Sequence, residues 1–407
     1  MTAVVFDPFD AEFRRNPHPI YDQIRAEEPV CFTPLGFVVL TRYDDVVHTL
    51  RSNDFSRDIE KNAILPQTPT REFRRKSVRN RSMLNLDPPD HTRLRSLVSK
   101  SFTPSAIERL RPRVQQLVDA ALHSARQSGH LELIEEFAFP VPFQVISELL
   151  DMPTDRADEL REWSQIITAT LEFTTGVAEL EKAQVAIAKM RPYLDEIISR
   201  RRKNLGNDML SSLISVEERG ERLTNDELMA FVILLYIAGH ETTVNLIGNS
   251  MHALLTHPRQ FAQMKAQGCS SQMVDELLRF DGPVQHTMRT PVVDTAIQVD
   301  GRPVKIKRGS LVLASLGAGN HDPSIFERPH VLDFSRKNAN RHLSFSAGVH
   351  YCLGASLAKL EAEVMLSSLV KSFDKIEALA DPEWRDRLTI RGVTRYELSV
   401  QPLISTR

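Results

Sequence analysis

The sequence predicts a mainly α fold with a small β region, in one domain over residues 1–407. Three observations predict it. From Pro104 to about Asn204, and again from Thr224 to His257, apolar residues recur at the spacing of helices. Short β-branched runs are confined to 36–41 and 296–313, with weak strand signals near the C-terminus. No internal repeat or low-complexity linker divides the chain.

Taken in order, Pro17 to Glu28 reads as a short amphipathic helix, Gly36 to Thr41 as a strand and Tyr43 to Leu50 as a helix. Residues 62–81 lack periodicity and hold a basic run from Arg71 to Arg81, which predicts a loop. Asp87-Pro88-Pro89-Asp90-His91 is a helix start, with prolines in the first turn and Asp90 complementing the helix dipole. The helical stretch that follows is broken at 137–142 and 153–155. Thr224-x-x-Glu227 is a capping box that opens a helix with no stop before His257-Pro258. Ser271 to Phe280 is another helix. Ala296 to Val299, the turn Asp300-Gly301 and Val304 to Lys307 predict a hairpin that Leu311 to Leu313 extends. Residues 317–347 are irregular, and long irregular segments in compact proteins are usually functional. Leu353 to Phe373 is an amphipathic helix.

Composition narrows the function. Hydrophobic residues make up 42% and charged residues 26%, and the formal net charge is −2. That balance gives no electrostatic footprint for nucleic acid. Three scattered cysteines, Cys31, Cys269 and Cys352, are not a disulfide framework and fit a reducing compartment. The N-terminus lacks a basic region followed by an apolar core, and the run Phe231 to Ala238 is too short to span a bilayer. The expectation is a cytoplasmic protein without a membrane anchor.

The chemistry centres on Phe345-Ser346-Ala347-Gly348-Val349-His350-Tyr351-Cys352-Leu353-Gly354. A thiolate that binds iron needs backbone N–H groups aimed at sulfur, room for a flat cofactor and a positive field. Gly348 and Gly354 allow close backbone approach, the following helix offers its N-terminus, and Phe345 can cover the sulfur. Phe345-x-x-Gly348-x-His350-x-Cys352-x-Gly354 resembles the haem-ligand signature of the cytochrome P450 family. Ser346 and Ala347 replace the more usual glycine after the phenylalanine, with little effect expected.

The resemblance implies a helical prism enclosing haem b (iron protoporphyrin IX), with Cys352 as iron ligand. It extends to three further motifs. Glu276-x-x-Arg279, with Arg336 as third partner, is implied to lock the irregular segment beneath the haem as a structural unit. Ala238-Gly239-His240-Glu241-Thr242-Thr243 interrupts an apolar helix, and glycine there costs about 1 kcal/mol relative to alanine. Its plain reading is a kink with threonine hydroxyls bonded back to carbonyls. The resemblance makes it an acid–alcohol pair, with Thr242 facing dioxygen and Glu241 relaying protons. His91 and Arg95 share a helix face. Together with Arg289 and His350 they match the family's holders of the haem propionates.

Leu234, Ile237 and Ala238 share a helical face with the acid–alcohol pair and are candidates to line a substrate pocket. By the resemblance, Pro283 to Met288 also approaches the substrate; Gln285 and His286 there are candidates to bond a polar substrate group, or else face solvent or structural carbonyls. The substrate is expected to be a small hydrophobic molecule of the lipid, steroid, terpenoid or polyketide class, oxidised by O2. Three cysteines cannot supply an iron–sulfur cluster, and no dinucleotide turn appears. Electrons are therefore expected from a ferredoxin or flavodoxin with its reductase, with Arg93, Lys100 and Lys359 as contacts. The run Arg71 to Arg81 is either a solvated loop or a contact for an anionic substrate or carrier-bound acyl chain. The rivals are a peroxide-driven peroxygenase, a non-catalytic haem-binding protein and a hydrolase using Cys352 as nucleophile.

Overall fold

The computed structural model describes residues 6–63, 82–153, 155–172, 174–218 and 221–403. The basic run Arg71 to Arg81 lies outside them. Six helices position the site: α1 (Asp90–Ser99), α2 (Ala157–Ala169), α3 (Val177–Lys203), α4 (Asn225–Thr256), α5 (Ser271–Asp281) and α6 (Ala355–Ser372).

The centre is α4. Its capping box forms: the Glu227 N–H donates to the Thr224 hydroxyl at 3.2 Å, and the Thr224 N–H to the Glu227 carboxylate at 2.8 Å. The helix is long and apolar enough to cross a membrane, but 78% of its apolar window is buried inside the protein. A helix apolar all round and covered by its neighbours is a core helix. It also runs unbroken through 238–243, contrary to the predicted interruption. Gly239 is there for packing: a Cβ would stand 3.0 Å from Ile146 Cδ1 on the helix Pro140–Leu149. The break predicted at 137–142 is a π-helical turn, Leu133–Ala138, leading into that helix.

The main sheet contains β1 (Val30–Phe32), β2 (Phe37–Leu40), β3 (Phe55–Ser56), β4 (His286–Pro291) and β5 (Leu311–Ser315), in the order β1-β2-β5-β4-β3. β5 runs parallel to β2 and antiparallel to β4, with Leu313 opposite Val39 and Met288. The predicted hairpin forms from Thr295–Val299 and Arg302–Ile306. Its turn residues Asp300 (φ 50°) and Gly301 (φ 75°) are both left-handed, as a two-residue hairpin turn requires. β5 does not extend this ribbon as predicted; it joins the main sheet instead.

Charge also holds the scaffold. On α5, Arg279 donates to both carboxylate oxygens of Glu276, at 2.7 and 2.9 Å, and neither side chain is exposed. Arg336 joins the same carboxylate at 3.1 Å. The two guanidiniums donate to the carbonyls of Asn320, Glu327, Pro329 and Val331. The irregular segment 317–347 is thereby fastened to α5, with its buried charges and carbonyls satisfied together.

Candidate active site

A cavity of about 370 Å³ lies between α4 and the Cys352 loop. Ala238, Gly239, Thr242 and Thr243 line it from α4; Phe345, Cys352 and Gly354 line it from the loop. The loop's shape follows from a few residues. Gly348 is left-handed (φ 69°), and a Cβ there would lie 2.6 Å from the Leu50 carbonyl oxygen. Gly348 therefore serves the close approach of the loop to the helix Tyr43–Arg51, and does not line the cavity as expected of a cofactor contact. Ser346 is left-handed too (φ 63°), so the replacement of glycine there has a conformational cost after all. Gly354 does line the cavity, and a Cβ there would meet no protein atom within 4 Å.

The Cys352 N–H donates to the Phe345 carbonyl at 2.9 Å, which sets the direction of the cysteine. The helix α6 starts at Ala355, two residues later than the sequence suggests. The expected positive field is only partly present. The Cys352 side chain is exposed to the cavity; desolvation by the surrounding protein pushes its thiol up, while the Gly354 N–H and the Arg95 guanidinium pull it down.

One rim of the cavity is strongly basic. His91 is 1% exposed, and neither ring nitrogen has a hydrogen-bond partner. Its ring stands 4.2 Å from that of His350. Arg289, also buried, donates to the Thr287 hydroxyl and the Met288 carbonyl, each at 2.9 Å. Arg95 completes the expected set. A fifth member, Arg57, was missed. It donates to the same Thr287 hydroxyl (2.8 Å) and Met288 carbonyl (3.0 Å). The pairing of Ser56 with Thr290 brings Arg57 there, a long-range contact that local spacing does not reveal. Burial lowers Arg57 to about 10 and His350 to about 2, with Arg289 and Arg57 the next causes for His350. Among the described residues, none of Arg57, Arg95 and Arg289 forms an ion pair with a carboxylate. The buried Arg289 and the half-buried Arg57 and Arg95, none ion-paired with a carboxylate, stand beside an imidazole without partners and have the chemistry to receive a dianionic group such as the two haem propionates.

On α4, the Thr242 hydroxyl donates to the Ala238 carbonyl at 2.9 Å while it faces the cavity. The back-bond of the plain reading is therefore present, on a side chain that also lines the cavity. Leu234 and Ala238 line the cavity as expected. Ile237 and Glu241 instead line an adjoining compartment of about 80 Å³, whose walls share Leu234, Ala238 and Thr242 with the main one. There Arg385 reaches Glu241 at 2.7 Å, with both side chains largely buried. Arg385 also went unseen in the sequence. So did Glu361 on α6, 1% exposed, which accepts from the Thr243 hydroxyl at 3.3 Å and is pushed by burial up to about 8. Its signal was a carboxylate among Leu357, Leu360 and Val364, on the apolar face of a helix.

Gln285 must be withdrawn as a pocket residue. Neighbouring Val284 and His286 face the cavity, and the side chain between them in extended chain points the other way. Its amide donates to the Gly282 carbonyl at 2.7 Å, and its Oε1 would clash at 1.9 Å with a Cβ at Gly317. His286 is tied to the Tyr21 hydroxyl at 2.7 Å. Two of the three predicted surface cations are also committed: Arg93 pairs with Glu227, and Lys359 with Asp275 at 2.7 Å.

The family model for cytochrome P450 matches residues 29–267 and 270–397. The chain belongs to the cytochrome P450 family. It is 37% identical to cytochrome P450 107B1 of Saccharopolyspora erythraea, over 97% of either chain. It is 37% identical to a vitamin D(3) 25-hydroxylase of Pseudonocardia autotrophica, over 97% of this chain and 96% of that one. Among solved structures it resembles P450BioI in complex with an acyl carrier protein ligated to hexadec-9Z-enoic acid. That match has a TM-score of 0.88 and 34% identity, and covers 96% of this chain and 99% of the other. The protein is therefore a cytochrome P450 monooxygenase, of a family whose cofactor is haem b. The expected helical prism with a small β region is the fold of its relatives.

Proposed function

We propose that this cytochrome P450 oxidises an elongated apolar molecule, with Cys352 as the iron ligand and Thr242 and Glu241 as the proton-handling pair. The observation that supports it most is the placement of Cys352 and Thr242 on one apolar cavity with a basic rim. His91, Arg95, Arg289 and His350, with Arg57, would hold the propionates. When bound, haem b supplies the activation of O2 and the one-electron chemistry of the reaction.

The chain's own residues do the rest. Phe345 and the loop backbone orient the cysteine. Leu171, Leu180, Ile187, Leu234 and Ile390 present an apolar wall, which excludes water and favours lipid-like substrates. Thr242 lines the cavity, and its hydroxyl can donate a proton there once it releases Ala238. Glu241 sits in the next compartment against Arg385; on leaving Arg385 its carboxylate can take up a proton from solvent water, pass it to water or Thr242, and return ionised to Arg385. Hydroxylation is the reaction expected most, of a lipid, steroid, terpenoid or polyketide. Two relatives support that range, one named for vitamin D(3) hydroxylation and one solved with an acyl carrier protein. Electrons would come from a separate ferredoxin or flavodoxin and its reductase in the cytoplasm.

Turnover tests this reading against a peroxygenase. With a ferredoxin pair and O2, the parent should couple electrons to product. Thr242→Ala should keep its haem spectrum and divert most electrons to peroxide. Undiminished coupling in that variant would remove Thr242 from proton delivery, and turnover by peroxide alone would favour the rival.

A further inference from the structure

The connection between α2 and α3 carries a buried carboxylate with no part in the chemistry above. Glu172 is 7% exposed. Its Oε1 accepts from the N–H groups of Thr389 and Ile390, both at 3.0 Å. Its Oε2 accepts from Thr389 at 3.0 Å and Leu388 at 3.3 Å. Three successive amides converging on one carboxylate form an anion nest, and bonds to an ionised acceptor are about twice as strong as neutral ones.

The two sides of this joint are anchored differently. The 388–390 turn belongs to the floor. Thr389 accepts from the Gln285 N–H at 2.9 Å, Ile390 bridges to Val284, and the neighbouring Arg391 pairs with Asp281 of α5 at 2.8 Å. The backbone N–H groups of Thr170, Leu171, Glu172 and Thr175 bond locally, to carbonyls between Ile167 and Glu172. The Glu172 side chain carries the connection across to the floor. Both sides line the cavity, Thr170 and Leu171 on one, Thr389 and Ile390 on the other.

We propose that Glu172 is a positioning residue that fastens the α2–α3 connection to the 388–390 turn, so setting the apolar wall that selects substrate and the rate at which large ligands enter and leave. The inference rests on the function proposed above only for what occupies the cavity. Releasing the carboxylate would part Leu171 from Ile390 and free three amides to water. Breaking one joint would therefore open the wall without unfolding either side.

Two probes of different size test this on the haem-loaded enzyme, followed by the Soret band in stopped flow. Release of 4-phenylimidazole should quicken about tenfold in Glu172→Ala, the loss of roughly one charge-assisted contact, and less in Glu172→Gln, which keeps one acceptor. Release of imidazole should stay within about twofold of the parent. Unchanged 4-phenylimidazole rates in both variants would overturn the proposal. So would equal acceleration of both probes, which signals general loosening. Hydrogen exchange supplies a readout that needs no haem: amides 388–390 should lose protection in Glu172→Ala at parent-like melting temperature, and retained protection would sink the latch. A preparation with no Soret band would count against the proposed function, while the exchange result would still decide the latch.

Discussion

Two groups of charge in the protein differ in what surrounds them. Beneath the irregular segment, Arg279 and Arg336 share the Glu276 carboxylate and spend their remaining N–H groups on carbonyls. At the cavity rim, Arg57, Arg95 and Arg289 stand beside His91 with no carboxylate pair among the described residues. A protein that folds around satisfied charges has used them as scaffold. One that lines a cavity with cations lacking an ion pair has kept a place for a ligand. The same residue type thus does opposite work at the two places: Arg279 and Arg336 are buried against a shared carboxylate, whereas the rim arginines, two of them only half-buried, have no carboxylate ion pair among the described residues.

The largest expected effect breaks the scaffold. Arg279→Ala leaves Glu276 buried beside one remaining guanidinium and should cost about 3–5 kcal/mol in urea unfolding. A loss below about 1 kcal/mol would erase the distinction between the two groups. Acid should act next. Burial lowers His18 to about 4 and His286 to about 3, from an ordinary 6.5. Their folded values lie below the unfolded one, so the unfolded chain takes up protons first as pH falls. Stability should be level above about pH 7 and decline as pH falls from about 6.5 toward 4. Urea midpoints that stay level down to about pH 4.5 would contradict the burial of neutral histidines.

The rim should behave in the opposite sense. Arg289→Leu should weaken haem retention by roughly 10- to 100-fold, the worth of a charge-assisted bond, while the haem-free protein melts no lower than the parent. Haem transfer to apomyoglobin and a thermal melt check both halves. A haem-free variant as damaged as Arg279→Ala would show the rim to be scaffold after all. The smallest effect is local: Ser346→Gly should stabilise by about 0.5–1 kcal/mol, because the left-handed backbone suits glycine. A destabilisation would mean that the serine side chain compensates.

Features written in short spacing were legible in the sequence. The cysteine loop, the Glu276-x-x-Arg279 pair, the capping box of α4 and the Asp300-Gly301 turn each depend on residues a few positions apart. Arg57, Glu172 and Arg385 were not legible, because distant segments give each its role: Arg57 through a strand pair, Glu172 and Arg385 through the C-terminal turns; Glu361 carried a signal, a carboxylate on an apolar helix face, that went unread. Gln285 was misplaced because alternation tells that neighbours face opposite ways, but not which one faces the cavity. Gly239 was read as a break because composition shows that a glycine is costly, whereas only packing shows Ile146 pressing on it.

The central claim is that Cys352 holds the iron, with the basic rim holding the propionates. It is tested most directly by reducing the purified protein, adding carbon monoxide and recording the Soret band of the parent and of Cys352→His. The parent should show the red-shifted thiolate band and the variant should lose it, with haem still bound through the intact rim. A parent without that shift, or a variant that keeps it, would contradict the assignment.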